Sequence, residues 1–146
     1  MRPVDSVPVR RRVRSTVLAL TAIVWATSTA CSPRADDASG GIRTASQSEV
    51  LEIGRNGHGP AILDVRSEGE YRSGHVPGAV NVPHSDLRAR LTEMEPYRER
   101  GLVVYCEVGG RAEMATRLLE DAGFENLSRL GGDMSAWRAN GLPTER

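Results

Sequence analysis

The fold of this chain is decided by residues 102–111, which read LVVYCEVGGR. The apolar run at 102–105 predicts a buried strand, and the paired glycines predict a tight loop directly after it. Beyond the loop, Ala115, Leu118, Leu119 and Ala122 fall on one face of a predicted helix. The segment therefore predicts strand, loop and helix in succession, with Cys106 at the tip of the strand.

Cys106 lies in a sequence context that favours a thiolate. Gly109 and Gly110 allow the loop backbone to turn its N–H groups inward, toward an anion. The start of the following helix and the side chain of Arg111 both add positive charge. Because the thiolate is the reactive form of cysteine, we expect Cys106 to be a nucleophile. The alternative is a buried structural cysteine, the commoner role of a lone cysteine in an apolar strand.

On both sides of this segment the sequence alternates strand and helix patterns. Short strands are predicted at 42–43, 61–65, 79–82 and 127–130, and helices at 86–94 and around Trp137. Two further helices are expected to begin at capping-box patterns, Ser46 to Glu49 and Ser67 to Glu70. The alternation predicts an α/β domain with a central parallel sheet and helices on both faces.

The predicted topology brings two polar segments together. In parallel sheets, ligands bind beyond the carboxyl ends of the strands. Residues 64–66 and Cys106 both follow such ends, so we expect them to be neighbours across one site. Arg66 could steer an anionic substrate, or it could pair with Asp64 or Glu70 and hold the loop. The pairing is favoured, because charged side chains near a buried strand end are usually neutralised.

The first 31 residues have the pattern of an export signal. Arginines at positions 10, 11, 12 and 14 precede an apolar stretch at 17–25, and small residues then lead to Cys31. The apolar stretch is shorter than the roughly 20 residues of a membrane span. The ending is similar to bacterial lipoprotein signals, so we expect export to the cell envelope and a membrane lipid anchor on Cys31. Cleavage after Ala30 and an uncleaved anchor are the alternatives.

The remaining sequence forms a linker and one domain. Residues 32–41 are polar, with aspartates and glycines, which predicts a flexible linker before a domain at 42–146. Beyond Cys31 the chain holds 14 basic and 18 acidic residues, a net charge of −4, which argues against a nucleic-acid partner. If processing uses Cys31, one thiol is left and no internal disulfide forms. His58 and His84 lack metal-ligand spacing, so we expect no metal site.

Several motifs in the same order resemble the signature of the rhodanese family. The resemblance covers residues 42–143 and implies the rhodanese fold. The matching residues are Asp64-Val65-Arg66 with Glu70-Tyr71, Gly74-His75-Val76-Pro77-Gly78-Ala79 with Asn81 and Pro83, Tyr105-Cys106 through Gly109 to Arg111, and Leu130-Gly131-Gly132 with Trp137 and Gly141 to Pro143.

The resemblance implies sulfurtransferase activity. The cysteine takes a sulfane sulfur from a small-molecule donor, becomes a persulfide, and passes the sulfur to a thiol or to cyanide. The covalent persulfide requires no separate cofactor, and no general base is evident in the sequence. The implied site residues are Cys106 as nucleophile and, for substrate binding, Arg66, Glu107, Val108, Gly109, Gly110 and Arg111.

Two features of the loop bear on the activity. Four residues separate Cys106 from Arg111, one fewer than in related rhodanese-fold phosphatases and arsenate reductases, which disfavours those activities. Two-domain thiosulfate sulfurtransferases carry basic residues where this chain has Glu107 and Val108, and an arginine at the position of Glu70. We therefore expect weak capture of the thiosulfate dianion, with a persulfide or polysulfide as the alternative donor. A non-catalytic binding or persulfide-sensing module is the second interpretation of the domain.

Overall fold

The computed structural model describes residues 41–146. The predicted signal with Cys31, and the predicted linker up to residue 40, lie outside this range. Within it, no helix has the length and apolar character needed to cross a membrane. The elements are β1 (Arg43–Ala45), α1 (Gln47–Asn56), β2 (Ala61–Asp64), α2 (Glu68–Ser73), β3 (Val80–Asn81), α3 (Leu91–Met94), β4 (Leu102–Tyr105), α4 (Gly110–Asp121), β5 (Leu127–Leu130) and α5 (Asp133–Ala139).

The five strands form one parallel sheet in the order β1-β5-β4-β2-β3. The central strand β4 lies between β5 and β2, and its last residue, Tyr105, is in register with Asp64 at the end of β2. The segments that follow these two strands therefore start side by side at the carboxyl edge of the sheet. The predicted α/β fold with a parallel sheet is confirmed.

The sheet separates two apolar layers, because alternate strand residues point to opposite faces. Leu63 and Val104 face a layer that contains Leu119 of α4 and Leu87. Residues 62, 103 and 105 face a second layer, built mainly with side chains of α1 and α5. Helices therefore cover both faces, and strands buried on two sides explain why 61–63 and 102–105 read as continuous apolar runs.

Both predicted capping residues are helix N-caps in the structure. The Ser67 hydroxyl accepts a bond from the Glu70 N–H, and the Glu70 carboxylate accepts the Ser67 N–H, which completes a capping box at α2. At α1, Ser46 accepts the Glu49 N–H, but the Glu49 carboxylate binds Arg43 instead of returning to the cap.

The helix predicted over 86–94 is wrong in its extent, because regular α-helix covers Leu91–Met94 alone. Residues 83–90 form consecutive turns, in which backbone N–H groups donate to carbonyls three or four residues earlier in the chain. Leu87 and Met94 are nevertheless buried in the same core layer, with Leu91 packed against it. The apolar spacing predicted the buried face correctly, although burial of those side chains did not require a continuous helix.

Candidate active site

A buried ion pair fixes the carboxyl end of β2. The guanidinium of Arg66 binds both carboxylate oxygens of Asp64 and also donates to the Gly74 carbonyl, at distances of 2.6 to 3.1 Å. Arg66 is 1% exposed and Asp64 is fully buried. Burial of a charged pair is favourable only when its hydrogen-bonding groups are satisfied, as they are here. Of the two roles considered for Arg66, the structure therefore shows the ion pair, and its partner is Asp64.

Further hydrogen bonds join the same pair to its neighbours. The Tyr105 hydroxyl donates to Asp64 Oδ2 at 2.7 Å and accepts the Val76 N–H at 3.1 Å. The Asn81 amide donates to the carbonyls of Asp64 and Arg66. Burial, followed by the charge of Asp64, raises the pKa of Tyr105, so its hydroxyl stays a donor. The segment after β2 is therefore held against β3 and β4 by buried polar contacts.

Cys106 follows β4 directly and is 1% exposed. The Gly109 N–H donates to its Sγ at 3.0 Å, so a backbone donor of the loop faces the sulfur, as a thiolate requires. Gly109 has a φ of 97°, a conformation that favours glycine, whereas Gly110 begins α4 outside the left-handed region. Of the two glycines, Gly109 is the one whose conformation the loop depends on.

The loop contacts an acid that sequence reasoning missed, Asp133 at the start of α5. Its Oδ1 accepts the Cys106 N–H at 2.7 Å, and the Met134 N–H donates to the Cys106 carbonyl. These two bonds join the first residue of the loop to the start of α5. Burial raises the pKa of Asp133, against the opposing effect of the Cys106 N–H. The sequence signal for Asp133 was a helix start after Gly131-Gly132, which predicts structure but not proximity to Cys106.

The side chain of Arg111 binds Glu70, which belongs to the N-terminal capping box of α2. Its two terminal nitrogens donate to the Glu70 carboxylate at 2.8 and 2.7 Å. This guanidinium, more than any other group, holds the pKa of Glu70 well below its usual range. Because Glu70 also caps α2 through Ser67, the bidentate pair joins the N-terminal ends of α2 and α4. The positive charge of Arg111 is balanced within the protein.

Glu107 lies at the wall of a pocket of about 540 Å³ beside the loop. Its carboxylate is 3.5 Å from Arg66 Nη1 and also accepts a hydrogen bond from Arg138 of α5. Both arginines line the pocket, together with Arg146. An anion entering here would compete with Glu107 for two of these three cations. Val108, by contrast, is 78% exposed at the loop tip.

Sequence reasoning thus brought together the right segments. Residues 64–66 and the Cys106 loop are neighbours, as the strand ends predicted. Three further side chains complete the cluster that the structure shows: Asp133, Arg138 and, as the partner of Arg111, Glu70. The binding roles predicted for the loop residues stay predictions.

The domain has an α/β fold, and its candidate site is centred on Cys106. Comparison with known proteins gives its family. The rhodanese-like domain family matches residues 46–140. The chain belongs to this family.

Similar proteins occur in several contexts. The chain is 37% identical over 97 residues to thiosulfate sulfurtransferase 16, chloroplastic, of Arabidopsis thaliana, with 60% of this chain and 81% of that protein covered. It is 41% identical over 87 residues to the HTH-type transcriptional regulator Rv0324 of Mycobacterium tuberculosis, with 58% and 37% covered. The chain therefore spans about a third of that regulator.

Solved structures agree with the fold. A rhodanese-related protein from Thermoplasma volcanium has a TM-score of 0.61 and 26% identity, with 70% of this chain and 97% of that chain covered.

Arg66→Met tests the structural role of the buried pair. The substitution leaves the Asp64 carboxylate buried without its partner, so we expect the free energy of unfolding to fall by about 3–5 kcal/mol. Urea denaturation followed by circular dichroism measures the change. Arg138→Gln is the matched control, because its side chain is 48% exposed, and it should cost less than about 1 kcal/mol. Equal stability of Arg66→Met and the unaltered protein would contradict the structural role.

Proposed function

We propose that this protein is a sulfurtransferase that moves sulfane sulfur through a persulfide on Cys106. The observation that carries the proposal is the placement of the thiol. Its Sγ receives the Gly109 N–H at 3.0 Å, at the carboxyl end of the central strand and directly before helix α4. A backbone N–H and a helix N-terminus stabilise an anionic sulfur in both the thiolate and the persulfide state.

Transfer takes place in two halves. The Cys106 thiolate attacks the sulfane sulfur of a donor, the new Sγ–S bond forms, and the donor leaves with the electron pair of the broken bond. An acceptor then attacks the outer sulfur, and Cys106 leaves as the thiolate. Cys106 is the nucleophile of the first half and the leaving group of the second, and the same backbone donors face its sulfur in both, so one loop serves both steps.

The charges around the pocket favour an alkyl persulfide over the thiosulfate dianion as the donor. Arg66 is paired with Asp64, Arg111 with Glu70 and Arg138 with Glu107. A dianion gains little in a site whose cations already have partners. An alkyl persulfide carries at most one charge and loses less by entering. Glu107 contacts both Arg66 and Arg138 and is therefore the side chain that most directly opposes a dianion.

Loading of Cys106 with one sulfur is the direct test of the proposal. We expect the mass of the peptide containing Cys106 to rise by one sulfur after treatment of the purified, reduced protein with an alkyl persulfide. Thiosulfate should load it more slowly, and Cys106→Ser should show no gain while keeping the same circular dichroism spectrum. Turnover retained by Cys106→Ser, or no gain in the folded, reduced protein, would reject the proposal and favour a binding module.

Glu107→Gln should improve the use of thiosulfate. The change removes one negative charge while keeping the side-chain shape, and it frees Arg138 to attract an anion, while Arg66 stays bound to Asp64. We expect the KM for thiosulfate to fall about fivefold to tenfold, since one charge at close range contributes on the order of 1 kcal/mol. Steady-state kinetics with sulfite detection measures it.

The control for this variant is Glu113→Gln, an acid exposed on α4 and bound to Arg117. It should leave the KM for thiosulfate unchanged. An unchanged KM in Glu107→Gln would show that Glu107 does not limit capture of the dianion.

We also propose that the domain is exported and held at the bacterial envelope by a lipid on Cys31. Support comes from the arginine-rich, apolar and small-residue segments that precede this cysteine. A single thiol in the remaining chain avoids intramolecular oxidation of Cys106, which suits an oxidising compartment.

Cys31→Ala separates the three possible fates of the signal. We expect the unaltered protein in the membrane fraction and Cys31→Ala in the soluble fraction, measured by fractionation and immunoblotting. Membrane association of Cys31→Ala with the signal retained, seen as a higher mass, would favour an uncleaved anchor. Release of the unaltered protein into the soluble fraction would favour cleavage after Ala30.

A further inference from the structure

Asp133 is a buried acid that the transfer steps above leave without a role. It is 8% exposed and lies beside both ends of the turn that holds the sulfur. Its Oδ1 accepts the Cys106 N–H at 2.7 Å. A Cβ placed on Gly109 would lie 3.3 Å from its Oδ2, and the N–H of this same Gly109 binds Sγ. The carboxyl therefore lies directly against the nucleophile's loop.

The backbone of Asp133 is strained. Its φ is 52°, which places a residue other than glycine in the left-handed region, at a cost of about 1 kcal/mol. Strain of this kind persists where the surrounding contacts hold the residue in place. The contacts made by Asp133 are those with the Cys106 loop. Strain and a carboxyl against a nucleophile together point to a role in the chemistry of the sulfur.

The electrostatic surroundings suit a group that gains and loses a proton. Burial raises the pKa of Asp133, while the Cys106 N–H, the Cys106 side chain and Arg129 act in the opposite direction. Glu107 also raises it. The carboxyl accordingly holds a proton more readily than an exposed aspartate does, and general acid–base groups work best when their pKa approaches the working pH.

We propose that Asp133 is the proton carrier for sulfur transfer to and from thiols. The inference rests on the proposed sulfurtransferase function and names the class of donor and acceptor, a thiol persulfide and a thiol. It also supplies the general base that the sequence did not reveal.

In the loading half, the Cys106 thiol reacts with a donor persulfide anion. The Asp133 carboxylate takes the proton of the Cys106 thiol, and the thiolate forms a bond to the outer sulfur of the donor persulfide anion. The S–S bond of the donor breaks, and its electron pair goes to the leaving thiolate, which takes the proton from Asp133. The products are the Cys106 persulfide anion, a free thiol and the Asp133 carboxylate.

In the discharge half, the outer sulfur passes from Cys106 to an acceptor thiol. The carboxylate takes the proton of the acceptor thiol as the acceptor sulfur bonds to the outer sulfur of the persulfide. The Sγ–S bond breaks, its electron pair stays on Sγ, and the acceptor leaves as a persulfide anion. Cys106 then takes the proton back from Asp133. An acceptor such as sulfite attacks through a sulfur lone pair without losing a thiol proton, so it does not need Asp133.

The test compares two acceptors on protein loaded beforehand with polysulfide. Asp133→Asn keeps an oxygen that accepts the Cys106 N–H and tolerates a left-handed backbone, but it cannot carry the proton. Asp133→Gly relieves the strain but also removes the acceptor of the Cys106 N–H, so it serves as a second variant that adds the loss of the loop contact. Asp121→Asn, an exposed acid at the end of α4, is the control. Mass spectrometry follows the loss of the outer sulfur from Cys106 to 2-mercaptoethanol or to sulfite.

We expect Asp133→Asn to discharge to the thiol roughly 100-fold more slowly near pH 7, the usual size of a general base effect. Discharge to sulfite should change less than about threefold, because no thiol proton has to move. The deficit with the thiol should shrink above the thiol's own pKa, roughly 9, where the acceptor ionises by itself.

Each other outcome rejects a distinct claim. Equal slowing with both acceptors at every pH would mean that Asp133 only positions the loop, and an unchanged rate in both variants would mean that it does not act. Either result overturns the proton-carrier role and leaves the sulfurtransferase function in place. If the unaltered protein forms no persulfide on Cys106, the proposed function fails first, and this inference fails with it.

Discussion

The buried ion pair between Asp64 and Arg66 is the constraint on which the site depends. A charged pair is removed from water here, and it can remain so because Tyr105, Gly74 and Asn81 complete its surroundings with hydrogen bonds. These partners come from β4, from the end of α2 and from β3. One interaction thus fixes the relative positions of three segments at the carboxyl edge of the sheet. The sulfur loop begins directly after one of these partners, Tyr105.

The same edge shows how the protein balances charge near Cys106. The arginines at positions 66, 111 and 138 each face a carboxylate, at Asp64, Glu70 and Glu107 respectively. Such pairing keeps the loop ordered, but it weakens the general attraction of the site for small dianions. The stabilisation of the sulfur then depends more on the Gly109 N–H and the start of α4 than on free cations. The thiol persulfide donors and thiol acceptors proposed above fit that balance, because they carry less charge than a dianion.

The sequence predicted most of the fold because local patterns and global topology agree. Residues 61–63 and 102–105 are apolar without alternation, as strands covered on both faces must be, and the serines at 46 and 67 cap their helices as their spacing predicted. The segment 86–94 was misjudged because spacing reports which side chains are buried, while the backbone between them satisfies its hydrogen bonds through turns. Local patterns are reliable for faces and weaker for the extent of an element.

The site was predicted in part, for a related reason. Cys106 and residues 64–66 could be placed together because parallel strands bring their carboxyl ends to one edge. The contacts of Asp133 and Arg138 with the loop could not be predicted in this way. Both residues lie on α5, and the position of this helix against the loop depends on the packing of the whole second layer. A side chain on a distant helix produces no spacing pattern in the sequence near Cys106. Electrostatic pairing therefore has to be seen in three dimensions.

The geometry of Asp133 shows how such a distant contact becomes specific. A glycine at this position would adopt the same backbone angle without strain, but it would leave the Cys106 N–H without its carboxylate acceptor. The aspartate therefore exchanges a local conformational cost for a charged hydrogen bond at the base of the loop. That bond holds the Cys106 backbone, while the Gly109 N–H faces the sulfur. The carboxyl thereby places a charge at the base of the loop that holds the sulfur.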